Sequence, residues 1–337
     1  MAKSTFVALF AVSQSTTDVD AQVEFYKGIG FVVDDGYTSL EGSFPDVIKS
    51  ALTKSVALRL PNDPYMHLIL HGWNNLKTTP GWPAPFNQIG TRGITMLVKD
   101  VAAELERIKA GWPHLRIHHG PLSIRRKWGA TTSALLEDPE GVFLELLEIS
   151  SPSPFDAERV QAPGGRDRTW LHFMHNCADF HATRPFYEAF GMAHDRGVDF
   201  RPNTGFHPWG VEHFTKQMAD AFGFEMAPED AGEVAFLRAE SDCSQMHLEL
   251  LNITKGLQVP GPRPTWLQNG ISRYCIKTKD YAGALRQAKE KGTKIYIEDQ
   301  RGCLNWGDSQ WFFFADVDGN IVTLEEWFPH REWGERE

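Results

Sequence analysis

The sequence predicts an α+β protein of four βαβββ modules forming two half-barrel cradles. Three observations predict it: the whole chain is duplicated, each half divides again, and strand–helix–strand patterning recurs with turn chemistry at matched places. The segment Phe25-Tyr26-Lys27-Gly28-Ile29-Gly30-Phe31 recurs in the second half as Phe186-Tyr187-Glu188-Ala189-Phe190-Gly191-Met192. His67-Leu68-Ile69-Leu70 recurs as His247-Leu248-Glu249-Leu250. Asp138-Pro139-Glu140-Gly141 recurs as Asp316-Val317-Asp318-Gly319. Trp128-Gly129 and Trp306-Gly307 precede those two turns at identical spacing. Order and spacing repeat together, the signature of an internal duplication. The later motifs stand farther from their copies than Phe25-Tyr26 does, which places an insertion in the second half, within Phe200 to Met226.

Each half then splits into two modules. An alternating strand opens a module, as at Gly93 to Val98 and Leu171 to Cys177. A helix follows: Val101 to Ile108 carries apolar residues at i, i+4 and i+7, and Tyr281 to Lys291 is its counterpart. Three strands come next, separated by turns such as Asp-Pro-Glu-Gly. Between the halves, Ser151-Pro152-Ser153-Pro154 and Pro163-Gly164-Gly165 read as an exposed linker. The expected division is therefore 1–150, a linker over 151–168, and 169–330.

The chain of 337 residues suffices for two domains with buried cores. Its formal net charge is −10 and no basic tract stands out, so neither a nucleic-acid backbone nor an anionic membrane is an expected partner. A small molecule is. Cys177, Cys243, Cys275 and Cys303 form no CxxC pair, which fits free thiols in a reducing compartment. The apolar run Phe6 to Val12 reads as a first strand rather than a signal core. No run approaches the roughly 20 residues needed to cross a bilayer. A cytoplasmic protein, monomer or homodimer, is expected, with the sequon at Asn252 unused.

The Phe-Tyr…Gly helix end, the Trp-Gly strand and the Asp-Pro-x-Gly…Glu-Leu hairpin resemble those of the vicinal oxygen chelate superfamily, which includes glyoxalases, bleomycin resistance proteins and extradiol dioxygenases. The resemblance covers nearly the whole chain. It implies two cradles, each built from two modules, with metal ligands at the start of the first strand and the middle of the last strand of each module. Those positions read Phe6 (or Val7) and Ile69 in module one, and Gly93 and Glu145 in module two. They read His172 and Glu249 in module three, and Arg273 and Thr323 in module four.

Which of these meet depends on how the modules pair. Pairing 1+2 and 3+4 leaves Glu145 alone and sets His172 and Glu249 opposite Arg273 and Thr323. Pairing 2+3 and 1+4 brings Glu145, His172 and Glu249 together and leaves the other cradle without ligands. That set resembles three of the four ligands of glyoxalase I, with Gly93 where the fourth belongs. Two carboxylates and one imidazole suit a divalent ion such as Fe, Mn, Co, Ni or Zn. By the same resemblance Glu249 is the catalytic base. Arg273 could hold an anionic group of the substrate. His207, Trp209 and His213, in the insertion, could lid the cradle and bind substrate.

Blander readings stand beside these. Glu145 could face solvent, His172 could be a core histidine, Glu249 could pair with His247 on its own strand face and Arg273 with a neighbouring acid, while His118, His119 and His175 read as surface or loop residues. Three functions stay open. The first is a metal-dependent lyase or isomerase acting through an enolate-type intermediate on a substrate with adjacent oxygens. The second is a ring-cleaving dioxygenase, which prefers two histidines and one carboxylate; no second histidine stands at a first-strand position, so His175 or His247 would have to substitute. The third is a metal-free binding protein or acid–base catalyst.

Overall fold

The computed structural model describes residues 6–35, 46–61, 65–78, 81–126, 129–149, 168–195, 233–242, 246–252, 258–261, 265–304 and 307–329, with single positions such as Phe44 and Asp63. The linker, Trp128, Trp306, and His207, Trp209 and His213 of the insertion lie outside the described residues.

Each module is a strand, a helix and three strands, with a further short helix, Asp46–Lys49, in module 1. Module 1 comprises β1 (Phe6–Thr16), α1 (Val19–Gly28), β2 (Val32–Val33), β3 (Leu52–Arg59) and β4 (His67–Trp73). Module 2 comprises β5 (Gly90–Val98), α2 (Val101–Gly111), β6 (Ile117–Arg126), β7 (Gly129–Glu137) and β8 (Phe143–Ile149). Module 3 comprises β9 (Arg168–Asn176), α3 (Phe180–Ala189), β10 (Met192–His194), β11 (Glu233–Ala239) and β12 (His247–Asn252). Module 4 comprises β13 (Gly270–Thr278), α4 (Tyr281–Glu290), β14 (Ile295–Leu304), β15 (Gly307–Ala315) and β16 (Ile321–Pro329). An aspartate caps each of these four module helices, satisfying amides that the first turn leaves unbonded. Asp18, Asp100 and Asp280 accept from Ala21, Ala103 and Gly283, and Asp179 accepts from His181 and Ala182.

The modules pair 2+3 and 1+4. One eight-stranded sheet runs β14-β15-β16-β13-β1-β4-β3-β2, the other β10-β11-β12-β9-β5-β8-β7-β6. In every module the first strand lies parallel to the last. The two seams, β1 with β13 and β5 with β9, are antiparallel. Alternation sends one set of side chains to each face of a sheet. Leu68, Leu70, Tyr274, Ile276, Phe312, Phe314, Val322 and Leu324 face a common core that also takes Phe25, Leu105, Phe186 and Ala284 from the four helices. Their neighbours in sequence line the opposite, concave faces. No helix among the described residues is long and apolar enough to cross a membrane.

The duplicated turns are duplicated latches. Oδ1 of Asp138 accepts the amides of Glu140 and Val142, and its Oδ2 accepts Gln14 Nε2 at 2.7 Å and the Tyr26 hydroxyl at 3.0 Å. Asp316 repeats this with the amides of Asp318 and Asn320 and the hydroxyls of Tyr187 and Tyr274, at 2.7 and 3.0 Å. The turns close through Gly141 and Gly319, whose φ of +91° and +87° favours glycine. Burial raises both carboxyls, against the donors that surround them. Asp316→Ala would strand two buried tyrosine hydroxyls and two turn amides, so it should lower unfolding stability by about 3 kcal/mol or more. Urea melts followed by far-UV circular dichroism would read this; a loss under about 1 kcal/mol would contradict the latch.

Candidate active site

The concave face of the 2+3 sheet brings Glu145, His172 and Glu249 together. Register explains how. His172 on β9 lies opposite Thr95 on β5, and Thr95 lies opposite Glu145 on β8. On the other side His172 pairs with His247, two residues before Glu249 on β12. All these side chains therefore share one face. His172 Nε2 is 3.0 Å from Glu249 Oε2 and 3.6 Å from Glu145 Oε2. Neither ring nitrogen makes an aligned hydrogen bond, although Nε2 stands between the two carboxylates. Phe236, the cross-strand neighbour of Glu249, lies 5.1 Å from the imidazole centroid.

The charges are coupled. Burial opposes the imidazolium of His172, but the charges of Glu249 and Glu145 outweigh it and hold the ring's pKa at about 9. Burial likewise opposes the Glu145 carboxylate, and His172 outweighs that, keeping it below its ordinary range. Glu145 also accepts from the Thr95 hydroxyl at 2.8 Å. For Glu249 the polar partner among the described residues is His172. One carboxylate is thus tied from two sides and the other from one.

Gly93 occupies the fourth corner. Glu249 lies opposite Met174, two residues after His172, and Glu145 lies opposite Thr95, two after Gly93. Gly93 is therefore the counterpart of His172 about the seam. A Cβ there would meet Phe143 O at 2.4 Å and Met174 Cε at 2.8 Å, so backbone and side chain have closed over the corner. No fourth protein ligand can be supplied from it.

Two readings of the sequence need correction. The module 1 position is neither Phe6 nor Val7: Ala11 pairs with His67 as His172 pairs with His247. A register irregularity between Leu9 and Ala11, in a strand two residues longer than β9, moves the position inward. The histidines also redistribute. His119 is no loop residue: on β6 it pairs with Leu135, which pairs with Glu145, placing it in the same cross-sheet row. Its Nδ1 is buried without a hydrogen-bond partner, and burial drives its pKa down to about 4, against Glu145 and with help from His118. Sequence reasoning missed it because a bulged register in β6 sets which side it faces.

His175 is fully buried instead of exposed, and with Cys177 and Asp318 it forms the one tight group of metal-type ligands among the described residues. Its geometry is that of the latch. Asp318 bonds His175 Nε2 at 2.9 Å, the Thr183 hydroxyl at 2.8 Å and the Ala178 amide at 3.0 Å. In the other half Glu140 does the same work for Thr16, Thr17 and Asp18. Gln14 and Thr16 stand there in the places of His175 and Cys177, at the offset that also separates Tyr26 from Tyr187. One copy keeps only the carboxylate, with Gln14 and Thr16 in place of the histidine and the cysteine, so the contacts do not require an ion. His247 has a twin too: Asp195 Oδ2 is 3.1 Å from its Nε2 and bonds Arg238, as Asp34 does for His67 and Arg59. Both belong to the scaffold.

Arg273 lies in the 1+4 cradle, away from the triad. It pairs with Ser13 across that seam, and Thr323 lies two residues beyond its partner Ile321 on β16. The counterparts of His172 and Glu249 in that cradle are Ala11 and Ile69, so it holds none of the ligand set.

Over 95% of its length the chain is similar to glyoxalase I from Zea mays, covering 92% of that chain with 20% identity and a TM-score of 0.57. A mutant of the same enzyme gives 0.59 at 19% identity, with the same coverage. A candidate dioxygenase from Bacillus subtilis matches 96% of this chain and 86% of its own, at 12% identity and a TM-score of 0.56. The chain has the vicinal oxygen chelate fold. No family model matches the sequence, and no curated protein matches it. These neighbours cover nearly the whole chain, so the likeness is one of whole architecture. At such identities it speaks for fold; chemistry rests on the site.

Proposed function

We propose that the protein is a divalent-metal-dependent lyase or isomerase, holding its ion with Glu145, His172 and Glu249 and acting on a small substrate with two adjacent oxygens. The observation that supports it is the convergence of two carboxylates on one buried imidazole whose nitrogens lack aligned partners. Three protein ligands with the fourth corner closed by Gly93 leave positions for substrate, the arrangement catalytic sites use. An ion such as Fe, Mn, Co, Ni or Zn would supply Lewis-acid stabilisation of negative charge developing on the substrate oxygens.

The side chains supply the rest. Glu249 is the base: tied through His172 alone among the described residues, it can swing to take a proton from the carbon beside an oxygen. Glu145, fixed by Thr95, stays in place. Phe236 covers one side of His172 and helps exclude water. His119, neutral near pH 7, can accept a proton in a later step.

His119 also favours a second reading. With His172 and one carboxylate it would complete the two-histidine set that oxygen-using ring cleavage prefers. The first experiment is metal analysis by plasma mass spectrometry of protein purified without a metal-affinity tag. The expected result is near-stoichiometric metal, lost in Glu145→Ala and Glu249→Ala. Absence of metal even after reconstitution with each of the five ions would overturn the proposal. Oxygen uptake with a catechol, abolished in His119→Ala, would select the second reading.

A further inference from the structure

The second latch holds without an ion, as its copy shows, yet its side chains exceed what a latch needs. We propose that His175, Cys177 and Asp318 form a structural site for one soft or borderline divalent ion of the zinc class, which clamps module 3 to module 4.

His175 and Cys177 stand two residues apart at the end of β9, and Asp318 comes from the turn between β15 and β16. A ring nitrogen of His175, Sγ of Cys177 and a carboxylate oxygen of Asp318 all lie within 4.8 Å of one another, with Nε2 and Oδ2 at 2.9 Å. Ligands of a tetrahedral zinc stand roughly 3.3–3.8 Å apart, so small side-chain movements reach that spacing. All three side chains are buried. The Thr183 hydroxyl, which donates to Asp318 Oδ2 at 2.8 Å, would keep hold of that carboxylate, as outer partners of metal ligands do.

The first latch supplies the independent observation. There the Thr16 hydroxyl donates to Glu140 Oε1 at 2.7 Å, and Gln14 Nε2 donates to Asp138 Oδ2 at 2.7 Å. Cys177 stands in the place of Thr16, and its thiol approaches the carbonyl oxygen of His175 at 3.8 Å instead. A thiol is a weak hydrogen-bond donor, so the exchange weakens the latch as a latch. As a thiolate it is a strong zinc ligand. Both departures from the copy, glutamine to histidine and threonine to cysteine, install metal-ligating side chains, while the carboxylate is kept.

The surrounding charge favours a cation. Asp316 Oδ2 lies 3.8 Å from His175 Nδ1. Asp316, Asp318 and the thiolate formed on ligation together outweigh the guanidinium of Arg92, whose charge also reaches His175. Burial, then Asp318, pushes the Cys177 thiol well up, so the ion-free sulfur keeps its proton. Ligation forms the metal–sulfur bond and releases that proton to solvent, with any proton on the ligating nitrogen.

The probe is Co(II), added to the reduced, metal-stripped full chain and, separately, supplied during expression so that the ion can enter before the site closes. A cobalt–thiolate charge-transfer band in the near ultraviolet is expected, saturating at a one-to-one ratio. Carboxylates and imidazoles give no such band, so the Glu145, His172 and Glu249 site is silent in it. Cys177→Thr should abolish the band, and His175→Gln should weaken cobalt binding at least about tenfold. Glu145→Gln and Glu249→Gln should leave both unchanged. The two latch substitutions install what the first latch carries, so the fold is expected to survive; should one variant fail to fold by circular dichroism, the other decides. No band by either route, a band that outlasts Cys177→Thr, or binding unmoved by His175→Gln would overturn the proposal. The outcome is independent of the catalytic reading: in metal analysis an ion held here is the part that Glu145→Ala retains and Cys177→Thr loses.

Discussion

Replacing His172 by alanine is expected to lower divalent-metal affinity by more than about 100-fold, beyond the roughly 10–100-fold typical of groups that only support a ligand. The reason is positional: among the described residues His172 is the side chain that stands between both carboxylates, at 3.0 and 3.6 Å. The same substitution should destabilise the metal-free protein by about 3 kcal/mol, because it leaves a buried and a partly buried carboxylate without the charge between them. The two effects differ under metal. Stability lost to charge repulsion is regained when a divalent ion is added to an intact set, and is not regained when a ligand is gone. Thermal melts of the wild type and His172→Ala, with and without each ion, read both at once. A wild type that gains no stability from any ion, or a variant that gains as much as wild type, would defeat the assignment.

The residues of this candidate site were legible before any coordinates through the family resemblance, with the repeat to locate its positions. The family resemblance names two positions in each module, the repeat locates them at His172 on a first strand and at Glu145 and Glu249 on last strands, and alternation gives each strand its faces. What the repeat cannot carry is which modules meet. Each module is closed internally by parallel pairing of its first and last strands, and the seam is made by the free side of the first strand. The sequence of β5 is compatible with either β1 or β9 as neighbour, so 1+2 and 2+3 look alike from composition. The consequence for function is large. Arg273 would face His172 and Glu249, without Glu145, in one pairing and lies in the other cradle in the one observed.

Local irregularities hid the rest. The module 1 position reads as Phe6 or Val7 in the sequence and lies at Ala11 because β1 carries a register shift that no hydrophobic pattern announces. His119 was hidden by shifts on either side of it in β6. His175 shows the converse: an exposed-looking histidine is fully buried because Asp318 and Asn320, far along the chain, supply its partners. Such contacts become visible only when the two halves are aligned and the Gln14 copy is set beside it.

The affinity of the triad for a divalent ion should rise about 90-fold from pH 6 to pH 8, because a ligating imidazole must first lose its proton. With its pKa held at about 9 by Glu249 and Glu145 against burial, the neutral fraction of His172 climbs nearly tenfold per pH unit across that range. An unperturbed histidine, with its pKa near 6.5, would give only about a fourfold rise. The slope therefore reports the two carboxylates as well as the ligand, and Glu145→Gln should flatten it. The metal-free protein must show the mirror image. Because the folded pKa lies above the unfolded one, the proton on His172 stabilises the fold fully below about pH 6.5, and that contribution is lost as pH rises through about 9. For a residue 3% exposed the difference amounts to about 3 kcal/mol. Glu145, whose pKa is lowered, works from the other side: its contribution is present above the ordinary carboxylate range and lost as acid protonates it. Apo stability should thus decline toward alkaline pH while metal affinity increases, and one proton accounts for both trends. Calorimetric titrations and urea melts at pH 6, 7 and 8 measure the two slopes. Affinity that stays flat while apo stability falls would separate His172 from the metal and leave the imidazolium as a structural bridge between the carboxylates.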